Sequence, residues 1–301
     1  MGDVRRIGEL DALRGFAVCG IMAVNTWQHT ERVGRTAIDQ VVETALQGRF
    51  YPIFSLLFGI SFVLFLRGNG RWTLVRRLLW LLLFGLLQHT FYPGEVLTDY
   101  ALFGLAVLLP ASFLSSGPPV LLLGLGVLAW GVSQGGGILL IPGLFLIGMA
   151  LMDLRPSRRL LLPAFVVSAA ASAALTWLWL GTGDWTFNVT GALAGAAAYA
   201  TGLLLVLRPW LSALLEPLGR TALTNYVSGT FVIFLTAPLL STDPTRWSVV
   251  ALVLATVLAQ VLFSGWWLSR YRYGPLEWVW RCLTRLRRVP NRRGAELESA
   301  P

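Results

Sequence analysis

The chain has 301 residues, of which 55% are apolar and only 13% charged, with a formal net charge of +9. A soluble domain carries about 25% charged residues, so the composition excludes a water-soluble enzyme or binding module. All 24 basic residues are arginine, and they are scattered between apolar runs rather than gathered on one face, which argues against a nucleic-acid partner.

Apolar runs predict about ten membrane-spanning helices, near residues 12–28, 49–66, 76–91, 97–115, 118–133, 137–153, 160–180, 187–207, 221–240 and 247–268. The expected fold is an all-α polytopic integral membrane bundle over residues 1–270, followed by a basic cytoplasmic tail at 271–301. Arginines concentrate in alternate loops: Arg5 and Arg6, then Arg67, Arg71, Arg76 and Arg77, then Arg155, Arg158 and Arg159, then Arg208 and Arg220, then the tail. The intervening loops hold only Arg32, Arg35, Arg49 and Arg246. By the positive-inside rule both termini are expected in the cytoplasm.

The first span opens on Leu10-Asp11-Ala12-Leu13-Arg14-Gly15-Phe16. Asp11 and Arg14 stand three apart on one helical face, and Asn25 and His29 close the same stripe at the far end. Charges in such a place are retained where they pair, face a bundle or do chemistry. The loop 29–48 carries Ile38, Val41, Val42, Ala45 and Leu46, read as the apolar face of a short interfacial helix with Asp39 and Glu43 on its polar side. Gly68-Asn69-Gly70 and Tyr92-Pro93-Gly94-Glu95 are turns. In the eighth span Gly191, Gly195 and Gly202 predict close helix packing rather than a ligand site. Cys19 and Cys282 are too far apart in the topology to form a disulfide.

Two polar constellations can carry chemistry. If the first and third spans are neighbours, Asn25, His29, His89, Glu95 and Asp99 surround one outward-facing pocket, in which histidine beside a carboxylate suits a general base. Zinc is a weaker reading, since no ligand-spacing motif is present. Plain interfacial histidines are a third. On the cytoplasmic side, Asp11, Arg14, Arg220, Asn225 and Arg272 could clamp the phosphates of an anionic donor. The alternative is an ion-pair network, Asp11–Arg14 and Glu277–Arg281, that locks the base of the bundle, and the i, i+4 spacing of Glu277 and Arg281 favours it for those two.

The blocks Leu10–Asn25, Phe54-Ser55-Leu56-Leu57-Phe58-Gly59, Gly85 to His89 with Leu97-Thr98-Asp99-Tyr100-Ala101-Leu102, Gly219-Arg220-Thr221-Ala222-Leu223-Thr224-Asn225-Tyr226 and Tyr273-Gly274-Pro275-Leu276-Glu277-Trp278 run in the order of a known family. Together they resemble the bacterial membrane family called domain of unknown function 418. That family is similar to a wider transmembrane acyltransferase group, which includes heparan-α-glucosaminide N-acetyltransferase and the type 3 acyltransferases. The resemblance implies a bacterial cytoplasmic-membrane protein that moves an acyl group from a cytoplasmic acyl-CoA-like co-substrate to an envelope glycan or lipid acceptor outside. It places Asp11, Arg14 and Asn25 in the first-helix motif and His89 in a second block. His29 follows Asn25 more closely than in the glucosaminide enzyme, and Glu95 stands where the family more often has Asp. No bound cofactor or metal is expected. A transporter or exporter of a small amphiphile, or a non-catalytic membrane protein, are the rival readings. The arginine pattern predicts that reporter fusions after residue 70 and after residue 183 fall in opposite compartments, inside and outside; the same compartment for both overturns the map.

Overall fold

The computed structural model describes residues 2–30, 34–114 and 117–293, with side chains from residue 8 onward. The Arg5 and Arg6 side chains, Arg32 and the end of the tail lie outside the described residues. The helices are, in chain order, α1 (Gly2–Gln28), α2 (Ala37–Val41, continued by a π-type turn to Leu46), α3 (Phe50–Leu66), α4 (Arg71–His89), α5 (Leu97–Phe103) and α6 (Leu109–Ala111). There follow α7 (Pro118–Ser133), α8 (Ile141–Leu154), α9 (Leu161–Thr182), α10 (Trp185–Val206), α11 (Pro209–Arg220), α12 (Ala222–Leu240), α13 (Trp247–Arg270) and α14 (Pro275–Arg285). Among the described residues the only extended pairing is a single bridge between Tyr271 and Arg292.

Local sequence sets these boundaries. Prolines stand at the first turn of α7, α8, α11 and α14, where a missing N–H costs nothing. Gly183, at φ 73°, stops α9, and the Asp184 side chain then accepts from Thr186 N at 2.8 Å to start α10. Six helical stretches are long and apolar enough to cross a membrane: Ala37–Leu66, Gly137–Leu154, Arg158–Thr182, Trp185–Val206, Ala222–Leu240 and Trp247–Arg270. Leu97–Ala111 and Pro118–Ser133 are apolar but shorter, and α1 and α4 each begin with a charged turn or more. Two helices arise where only loop or tail was expected, α11 and α14. Both are short and amphipathic, so neither produces a long apolar run.

The chain forms two compact units: Met1–Val42 with Leu86–Glu95 and Arg208–Pro301, and Glu43–Gly85 with Val96–Leu207. In the second unit Phe58 stacks on Phe145 at 4.8 Å, and Tyr100 meets both rings edge-on at 5.3 and 5.1 Å. The Tyr100 hydroxyl is held by Ser55 Oγ at 2.6 Å, so this buried phenol has its partner. α3 and α8 approach to backbone contact, because side chains at Gly59 and Gly148 would collide with the carbonyl oxygens of Phe145 and Leu56. α9 and α10 pack closely as the small-residue pattern predicts, with the Leu175 Cβ seated on Gly191 and the Phe165 ring on Gly202.

In the first unit α1 lies on α11. A side chain at Gly15 would enter the Leu215 carbonyl, and one at Gly219 would enter the Asp11 carbonyl. Neither obstacle is a flexible side-chain end, so the helices would have to separate. Gly219→Ala is therefore expected to lower stability by roughly 1–3 kcal/mol, despite the better helix propensity of alanine. Gly126→Ala in α7 faces open space and should be neutral or stabilising by up to about 1 kcal/mol. Thermal melts of both variants in detergent check the contrast.

Candidate functional site

The first unit brings the C-terminal residues of α1 against the segment that follows α4. His29, one turn after Asn25, places its Nδ1 at 3.0 Å from the Asn25 carbonyl oxygen and 2.9 Å from the Tyr92 hydroxyl. Its ring lies 4.2 Å from the Tyr92 ring. With the proton on Nδ1 the ring donates to the Asn25 carbonyl and Nε2 keeps a lone pair, whereas with the Tyr92 hydroxyl donating to Nδ1 the proton sits on Nε2. His29 itself is exposed, while Tyr92 is buried with Met22 and Ile233. Gly94 backs onto the imidazole edge, a Cβ there standing 3.4 Å from Nε2.

His89 ends α4 at the other side of the same loop. Its Nδ1 is 4.0 Å from Glu95 Oε1, a distance for charge attraction rather than a hydrogen bond, and its side chain is 63% exposed against 1% for Glu95. His29, His89 and Glu95 thus flank one loop, residues 89–95. Asn25 is half-buried beneath His29. Asp99 sits in the first turn of α5, within the second unit.

This end of α1 is fixed by a lock that the sequence did not reveal. The Asp39 carboxylate accepts from Trp27 Nε1 at 2.7 Å and from Thr36 N and Oγ1 at 2.8 Å each. Arg246 Nε lies 3.4 Å from the same carboxylate, both groups being almost wholly buried, and Arg246 Nη2 has no hydrogen-bond partner. Arg246 adopts a left-handed backbone, φ 67°, a strain that the lock holds in place. The expected amphipathic face of 38–46 is accordingly turned: Asp39 is 1% exposed and Val41 57%. Thr36-x-x-Asp39 is a capping-box spacing, the one sequence signal that could have flagged this carboxylate.

At the other end of α1, Arg14 Nη1 donates to Asp11 Oδ1 at 2.5 Å. The Arg220 guanidinium and the Glu216 carboxylate on α11 face the same aspartate. Arg220 is exposed, and its Nη2 donates to the Arg272 carbonyl at 3.0 Å, so these two residues are brought together. Asn225 is buried, its Nδ2 donating to Thr221 Oγ1 at 2.9 Å, Ser264 Oγ at 3.1 Å and the Leu218 carbonyl at 3.3 Å. These bonds tie α12 to α13. Glu277 does not pair with Arg281: its carboxylate accepts from Thr224 N at 3.0 Å and Thr224 Oγ1 at 2.6 Å, capping α12. Burial pushes its pKa above the usual carboxyl value, against the lowering effect of those bonds. Arg281 lies over the Tyr273 ring at 4.1 Å instead.

A buried polar seam runs between these two ends within the first unit. Gln88 Nε2 donates to Thr230 Oγ1 at 2.8 Å, Gln260 Nε2 to the Asn225 carbonyl at 2.8 Å, and Thr221 and Ser264 share a bond of 2.8 Å. The Gln88 and Gln260 Oε1 atoms have no partner. Among the described residues no three His, Cys, Asp or Glu side chains group so as to hold a metal ion.

The six long apolar helices and these buried polar groups define a multi-pass, all-helical membrane protein. The chain belongs to the DUF418 family, described as protein of unknown function, whose family model matches residues 149–287. It is 34% identical to an uncharacterized 39.9 kDa protein in the amylase 3′ region of Bacillus acidopullulyticus, over 95% of each chain. It is 27% identical to the uncharacterized protein YeiB of Escherichia coli K12, over 91% of this chain and 95% of that one. The uncharacterized protein YxaH of Bacillus subtilis 168 is 32% identical over 42% of this chain and 36% of its own. No solved structure matches.

Arg246→Met leaves the buried Asp39 carboxylate without its counter-charge and is expected to cost roughly 3–5 kcal/mol. Adding Asp39→Asn should return part of that loss. Denaturant unfolding of the single and double variants decides it, and a double variant no more stable than Arg246→Met alone refutes the lock.

Proposed function

We propose that the protein is a membrane acyltransferase of the bacterial plasma membrane, with ten spans and both ends of the chain in the cytoplasm. It would carry an acyl group from a cytoplasmic acyl-CoA-like donor to a hydroxyl or amine of an envelope glycan or lipid outside. The observation that carries this reading is His29, an exposed imidazole oriented at Nδ1 by the Asn25 carbonyl and the Tyr92 hydroxyl, whose Nε2 is a base in the tautomer protonated at Nδ1. The second support is Arg14 at the opposite end of the same helix, about 22 Å away at 1.5 Å per residue, with Arg220 of α11 beside it.

In this scheme Arg14 and Arg220 hold the donor phosphates, and the backbone of Arg272 positions Arg220. His29 Nε2 takes the proton of the acceptor as its oxygen or nitrogen attacks the thioester carbonyl carbon. Asn25 supplies a hydrogen-bond donor for the oxyanion. The carbon–sulfur bond then breaks, and the thiolate recovers the proton from His29. His89 with Glu95 is the alternative base on the same loop. Asp11 aligns Arg14, and Asn225 acts on the donor site by holding α12 in place.

A transporter of a small amphiphile is the second reading, favoured by the polar seam of Gln88, Thr230, Gln260, Asn225 and Ser264, since polar groups inside a bundle also mark transport paths.

Binding and turnover of a radiolabelled acyl-CoA separate the two. His29→Ala is expected to reduce turnover by about 10²–10⁴-fold with donor binding intact, and His89→Ala to do so if it is the base. Arg220→Ala should weaken donor binding by about 1.5–3 kcal/mol. No donor binding by the wild type, in detergent or nanodiscs, overturns acyl transfer in favour of transport.

A further inference from the structure

The second unit holds a buried charge that the proposed reaction does not use. Arg49 lies near the middle of the Ala37–Leu66 stretch, where the helix is interrupted: α2 and its π-type turn end at Leu46, Gly48 has φ 73°, and α3 starts at Phe50. The Arg49 side chain passes between α9 and α10 and the residue is 5% exposed. Gly195 makes this passage, since a Cβ there would stand 2.6 Å from Arg49 Nε.

A guanidinium carries five N–H donors and a full positive charge. Arg49 Nη1 donates to the Gln47 carbonyl at 3.1 Å and Nη2 to Thr176 Oγ1 at 3.3 Å, both neutral groups, while the Tyr199 hydroxyl is committed to the Ala45 carbonyl at 2.6 Å. Among the described residues no carboxylate pairs with it. The contrast with Arg246 is direct, because that equally buried arginine has Asp39 beside it. An ionised group so buried is tolerated when something neutralises it. The start of α3 adds to the same field, as no side chain caps it and its dipole is positive there. Interrupted spans with a helix start facing an anion are a recurring way of binding one inside a membrane protein.

We propose that Arg49 is the counter-charge of a phosphate-class oxyanion, held between the start of α3 and the α9–α10 pair by the guanidinium and the Thr176 hydroxyl. The fork geometry of arginine suits two phosphate oxygens at once. The phosphate is supplied either by a phospholipid headgroup or by a soluble phosphorylated ligand. This site is independent of acyl transfer and stands or falls separately from it.

The test uses the full chain, purified in a sugar-headed detergent and depleted of phospholipid, with melting followed by tryptophan fluorescence. Phosphatidylglycerol is compared with diacylglycerol, and inorganic phosphate with chloride at equal ionic strength. The wild type is expected to melt higher with phosphatidylglycerol but not diacylglycerol if the source is a lipid, and with inorganic phosphate if it is soluble. Thr176→Asp brings a carboxylate to the position now 3.3 Å from Nη2; it should melt higher without any addition and lose the response. Arg49→Gln, which removes a charge rather than stranding one, should fold and also fail to respond. A wild type indifferent to both phosphate sources, or a response retained in Thr176→Asp or Arg49→Gln, overturns the proposal.

Discussion

The first unit rests on the approach of α1 to α11 at Gly15 and Gly219, where backbone meets backbone without an intervening side chain. Dispersion attraction falls steeply with separation, so a contact this close is available only to glycine on both helices. α11 runs through Thr221 into α12, and the first turn of α12 is bonded to Ser264 of α13 and Glu277 of α14. The position of α1 against one glycine therefore fixes where three later helices begin. The same helix carries His29 and Trp27 at its far end. Both candidate centres are thereby referred to a single rigid element.

Charge burial divides the molecule by kind. Asp39, Arg246, Glu277 and Arg49 all leave water, each by a different arrangement. Asp39 and Arg246 compensate one another. Glu277 takes two donors from the start of α12, where a helix end welcomes an acceptor. Arg49 has only neutral partners. Removing either member of the first pair leaves a stranded ion, whereas removing Arg49 takes an unmatched charge away.

Much of the fold was legible because long apolar runs leave the chain no other structure: helices occupy every predicted span region. The packing roles of Gly191 and Gly202 were legible from spacing alone. α11 and α14 were not, since twelve and eleven residues with one polar face resemble loop. At the candidate site, Asp11–Arg14 and Asn25–His29 were readable as local helical spacings, and the structure joins each pair. The Asp39–Arg246 contact was hidden because its partners are far apart in sequence and meet only through tertiary packing. Glu277 and Arg281 had the right spacing for an ion pair, yet two well-directed donors from Thr224 and an aromatic ring at Tyr273 compete for them. Spacing states which groups can meet, while burial and hydrogen-bond geometry decide which do.

The bonds between α12 and α13 bear on how the chain enters the bilayer. Asn225 and Gln260 each lie in a helix apolar enough to leave the translocation channel alone, but each would then meet lipid with an unsatisfied amide. Held together, Gln260 Nε2 donates to the Asn225 backbone carbonyl and Asn225 Nδ2 to Ser264 Oγ, which leaves only Gln260 Oε1 of these groups without a partner. The short connection of residues 241–246 keeps the two helices close from the moment the second is synthesised. Partitioning as a hairpin, rather than as successive single helices, is the cheaper route for this pair. It also sets an order of assembly, in which the α12–α13 hairpin is complete before Glu277 can cap it.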